Sequence, residues 1–84
     1  MILPTIHMNG TAASDLYQEN RNAAHALREA LRQLHNAAPN GRDYYPQGPA
    51  AINVALAEHG ARIELLERVL EELNGIAEHI AASL

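Results

Sequence analysis

The sequence predicts an all-α protein: an antiparallel two-helix hairpin with a short extended N-terminal arm, assembling into a homo-oligomeric helical bundle. Three observations predict it. Apolar residues recur at alternating gaps of four and three in two long stretches, the signature of a heptad-like helical stripe. The segment 40–49 between those stretches gathers two of the five glycines and two of the four prolines. The chain has 84 residues with no Phe, Trp or Cys, and a lone hairpin with so few bulky side chains does not offset its ordering entropy. Residues 1–84 therefore read as a single domain that needs a second copy of itself or more.

Each element has its own warrant. Residues 1–10 are the arm. Ile2, Leu3, Thr5 and Ile6 favour extended backbone, Pro4 keeps the segment at an edge, and Asn9-Gly10 signals a turn. Thr11, with Ser14 as its rival, is the expected N-cap of a first helix over residues 12–38. Its seam is Ala13, Tyr17, Asn20, Ala24, Leu27, Leu31, Leu34 and Ala38. Pro39 stops it, and Asn40-Gly41 tolerates left-handed dihedrals. Residues 39–49 form a loop. Pro49 suits the first position of a second helix over residues 50–82. The second seam is Ile52, Leu56, His59, Ile63, Leu66, Leu70, Leu73, Ala77, Ile80 and Leu84, with Gly60 and Gly75 as weak points.

Folding back about the loop pairs Leu34 with Ile52, Leu27 with His59 and Tyr17 with Leu70. It also brings Arg21 towards Glu67. The second helix then outruns the first at its C-terminal end, where Ile2, Leu3 and Ile6 of the arm can cover it. A second apolar strip runs beside the seam: Leu16, Ala23 and Ala30 on one helix; Ala55, Leu65, Val69 and Ile76 on the other. One antiparallel partner cannot cover both strips, which is why a homodimer or larger bundle is expected.

Composition excludes several classes of function. A net charge of −4 argues against a duplex nucleic-acid binder, which presents a basic face. No stretch has the 18 or so apolar residues that span a bilayer, and the opening lacks a signal-peptide pattern, so a soluble cytoplasmic protein is expected, with no membrane partner. No nucleophile elbow, Walker A sequence or dinucleotide-binding glycine pattern occurs, so no enzymatic activity and no catalytic residue is expected. Without cysteine there are no thiolate metal sites. The Glu-x-x-His spacing of di-iron bundles is also missing, so neither a metal nor another cofactor is called for. His59 falls in the buried seam. It reads as a satisfied core histidine or a pairing-specificity device, unless two copies meet across a dimer axis.

The remaining candidate is the loop. Tyr44 and Tyr45 suit stacking on a ring, and Arg42 suits a phosphate. Asp43 accepts hydrogen bonds, and Gln47 both donates and accepts them. The structural alternative has Tyr45-Pro46 plugging the end of the bundle and Arg42 paired with Asp43 in the turn. In an antiparallel dimer, the N-terminal turn of one protomer meets the loop of the other. A composite ligand-binding site would then gather His7, Asn9 and Thr11 with Arg42, Asp43, Tyr44, Tyr45 and Gln47.

The run from Leu3 to Thr11, taken with Gly41-Arg42-Asp43-Tyr44-Tyr45-Pro46-Gln47-Gly48, resembles small phage and prophage proteins without an assigned function. That resemblance implies a virus-encoded accessory protein of the host cytoplasm. By analogy with compact phage anti-defence sponges, it suggests a non-enzymatic protein that sequesters a nucleotide-derived immune signal, of cyclic oligonucleotide or ADP-ribose type, between subunits. A module that docks on a host protein, or a structural or assembly accessory protein, is the alternative.

Overall fold

Two long helices packed side by side account for most of the chain in a computed structural model that describes residues 1–84. Helix α1 spans Ala13–Asn36 and helix α2 spans Ala51–Ala81. Both ends of each helix fall within two residues of the sequence expectation, as terminal fraying allows. They pack as a hairpin with no strand, in a body of 61 × 20 × 17 Å. No helix is long and apolar enough to cross a membrane.

The caps differ from expectation. Neither Thr11 nor Ser14 caps α1. The N-cap position belongs to Ala12, which offers no side-chain acceptor, and Asp15 supplies the negative charge of the first turn. Pro49 stands outside α2, whose N-cap position is Ala50. The connector contains two short 3-10 turns, Gly41–Asp43 and Tyr45–Gln47. Asn40 is extended, not left-handed, and its Oδ1 accepts from the Arg42 N–H at 3.0 Å to cap the first turn. The one positive φ in the chain is Gly48, at φ 107 and ψ 162, a conformation that only glycine adopts without strain. Gly60 and Gly75 leave α2 unbroken.

The pairing of the helices is shifted from the expected one. The His59 ring bonds to the Leu34 carbonyl at 2.7 Å, and the Arg21 guanidinium reaches Asn74 Oδ1 at 3.4 Å. Relative to a hinge at the middle of the loop, α2 has slid by roughly two turns. The expected Leu27–His59 pairing and the Arg21–Glu67 ion pair therefore do not form. The reason lies in the connector: its two 3-10 turns take up length beyond the end of α1. They pack on the start of α2, where Gly41 approaches Ile52.

The arm lies along the other end of α2. The ring of His79 donates from Nε2 to the Pro4 carbonyl at 2.9 Å, and the Met1 side chain lies beside Gly75. Pro4 and Ile6 are half-buried, while Ile2 points away. The arm thus covers α2 as expected, but through Pro4 and Ile6 more than Ile2. A turn closed by the Gly10 N–H on the His7 carbonyl leads into α1. At Gly10 a Cβ would come to 3.0 Å from the ring of the exposed His7, which would have to give way by a few tenths of an ångström.

Only six residues are buried: Ala24, Leu31, Ala55, His59, Ala77 and Ile80. The core is a thin line of three alanines, a leucine and an isoleucine with one imidazole in it.

Candidate functional site

The connector side chains sit where the 3-10 turns place them, at the tip of the hairpin. Asp43 N–H donates to the Asn40 carbonyl, Tyr44 N–H to Gly41, and Gln47 N–H to Tyr44. With the backbone tied to itself, the side chains are splayed outward. Arg42, Asp43, Tyr45 and Gln47 are exposed and Tyr44 is half-buried. Tyr45 keeps 73% of its surface in solvent, so it does not plug the bundle. Arg42 and Asp43 make no ion pair with each other, which removes the expected turn salt bridge.

His7, Asn9 and Thr11 are also exposed, but at the far end of the molecule. The 24 residues of α1 separate them from the connector, about 36 Å at 1.5 Å per residue. Within one chain, then, the structure gathers Arg42, Asp43, Tyr44, Tyr45 and Gln47 and leaves the other three apart.

The concave feature of the surface lies elsewhere. An open groove of about 360 Å³ runs along α2, lined by Glu64, Glu67, Arg68, Leu70, Glu71 and Asn74. Periodicity gave no sign of it, because all its residues but Leu70 belong to the polar face of α2. Its carboxylates suit no phosphate. At its edge Arg21 and Arg28 both direct a guanidinium to Asn74 Oδ1 at 3.4 Å. No group of three His, Cys, Asp or Glu side chains is arranged to hold a metal ion.

Two ion pairs ornament the outer faces. Arg32 Nε donates to Glu29 Oε2 at 3.0 Å, and Arg62 lies 4.0 Å from Glu58. The Arg32 hydrogen bond, with a smaller contribution from Gln33, holds the Glu29 carboxyl below its ordinary range, and Arg32 is raised in turn. His59 is the one buried polar side chain, and its bond to Leu34 leaves no buried side-chain N or O unpaired. It is a satisfied core histidine.

No curated protein and no solved structure matches the chain. A family does match, and it corrects the expected function. The reading as a phage anti-defence sponge that binds a nucleotide signal gives way, because the match over residues 7–83 is to a family concerned with transcription. Running from the N-terminal turn through the connector to the end of α2, that match covers nearly the whole hairpin, and the chain belongs to the ABATE family, described as putative stress-induced transcription regulators.

Proposed function

We propose that this chain is a non-enzymatic association module of a stress-responsive transcription regulator, acting through protein contacts and not by gripping DNA. The distribution of charge supports this reading most directly. Helix α2 carries six glutamates: Glu58, Glu64, Glu67, Glu71, Glu72 and Glu78. Of the six arginines, Arg32 and Arg62 face carboxylates of their own helix, and Arg21 and Arg28 face Asn74. Duplex binding rests on a basic face that neutralises phosphates. A helix dense in glutamate repels the same phosphates.

The exposed tip suits a protein partner better. Tyr and Arg are the residue types that anchor protein interfaces, and Tyr45 stands free beside Arg42. The place of action in this reading is the cytoplasm, alongside the transcription machinery.

Two measurements test the proposal. A fluorescently labelled duplex at low salt should keep its anisotropy when the chain is added to tens of micromolar, within the roughly 1–100 μM range of non-specific DNA binding. Removing the chain from its cell should change the set of transcripts that stress induces. Salt-dependent duplex binding by the chain, or an unaltered transcript set, overturns the proposal.

A further inference from the structure

The molecule exposes more surface than its mass requires. A folded monomer of 9.1 kDa is expected to expose about 4,900 Å². This chain exposes 6052 Å², roughly 1,100 Å² more, and a standard interface takes about 800 Å² from each partner.

The excess has an apolar side to it. On α1, Leu16, Ala23 and Ala30 lie about a quarter-turn behind the buried line of Ala24 and Leu31, at 100° per residue. On α2, Val54, Leu65 and Val69 lie about the same angle behind the line of Ala55, His59, Ala77 and Ile80. Two antiparallel helices that face each other carry strips offset in the same sense on the same broad side. The other broad side holds Arg21, Arg28 and Asn74. This side therefore carries exposed apolar surface, with Leu65 at 56% and Val54 at 58% exposure, interspersed on α2 with Glu58, Arg62 and Glu72.

We propose that this side is a homodimer interface, in which two hairpins stack as a four-helix bundle. A second copy is the occupant because the face is complementary to itself. The α1 strip is floored with alanine, and the α2 strip is bulky. A two-fold axis along the rod places the α2 strip of one copy over the α1 strip of the other, with every neighbouring pair of helices antiparallel. Leu65 and Val69 then fall between Ala23 and Ala30 of the second copy, at the same register that joins α1 and α2 within one chain. Such an interface is isologous and closed, so it stops at two. The α1 strip carries no arginine, and Arg62, which borders the α2 strip, has Glu58 at 4.0 Å as its counter-ion.

This inference deepens the regulatory reading by naming a partner, and its test stands apart from transcription. Light scattering should give twice the chain mass at tens of micromolar. Leu65→Glu should raise the dimer dissociation constant at least a hundredfold while helicity by circular dichroism holds. Leu56→Glu, at a residue 46% exposed on the other side, should leave the mass doubled. Cross-linking covers the case in which Leu65→Glu unfolds. The chain has no cysteine, so a mixture of Ala30→Cys and Leu65→Cys chains under mild oxidation should give a disulfide-linked pair. Neither variant should do so alone. A helical monomer overturns the proposal, and so does a dimer that the Leu56 change breaks or that the mixed cysteines fail to link.

Discussion

Tyr44 and Tyr45 are adjacent in sequence and different in environment. Tyr44 is half-buried against the connector, while Tyr45 stands in solvent. Tyr44→Ala should cost about 1–2 kcal/mol in urea unfolding, from lost apolar burial. Tyr45→Ala should stay within about 0.5 kcal/mol of wild type, as an exposed substitution does. A stress-reporter assay should show the reverse order, with Tyr45→Ala the more damaging, if the tip is a docking surface. Equal loss of stability from both changes would make the tyrosines structural. Glu29 gives a pH prediction at the same scale. Its folded pKa is depressed by Arg32, so its contribution is present above the unfolded pKa and lost as pH falls through the lowered folded value. Carbon-detected NMR titration should place the Glu29 midpoint below the ordinary glutamate range. Added salt should raise it back towards that range, since the Glu29–Arg32 pair is exposed to solvent.

Helix existence and helix ends were legible in the residues because two independent signals coincided. The four-and-three alternation marked most of the inward-turning residues, although Leu56 and Leu84 of the expected seam are exposed and Ala55, expected on the second strip, is buried; Pro39 and Gly48-Pro49 bracketed the connector. The register was not legible. It depends on how much length the 3-10 turns absorb and on a side-chain bond from His59 to Leu34, and neither leaves a periodic trace. The first cap was missed because Thr11 and Ser14 are better acceptors than Ala12, yet the chain enters the helix at Ala12. The tip was legible as an unusual cluster, but its role was not. Exposed Tyr and Arg suit a nucleotide and a protein alike, and their residue types do not separate the two. These elements leave room for improvement. Ala12→Asp supplies the missing acceptor, and Gly60→Ala adds a methyl where nothing lies within 4 Å. Each should raise stability by about 0.5–1 kcal/mol, and the double variant by the sum, since the sites are distant. Thermal melts at one chain concentration check this, and a loss at Gly60→Ala would mean that the residue faces another chain.

At the scale of the whole molecule, so thin a core makes every covering segment count. With six buried residues, the hairpin holds no reserve of apolar burial. The arm covers α2 near Gly75 and His79, in the stretch that holds Ala77 and Ile80 at 2% and 0% exposure. Deleting residues 1–6 removes Pro4 and Ile6 from that surface and leaves His79 without its carbonyl. The cost should be about 1–3 kcal/mol, the scale of one apolar side chain returned to water. The loss should also be local. The arm touches the C-terminal half of α2, whereas the connector and the Leu34 bond secure the N-terminal half. Amide exchange should therefore accelerate at residues 76–81 and change little at residues 55–63, because a frayed helix end opens without global unfolding. Chain concentration must be held fixed, since pairing adds stability by mass action. Uniform acceleration along both helices would show that the arm is part of one cooperative core. Unchanged exchange at Ala77 and Ile80 would show that α1 alone covers them.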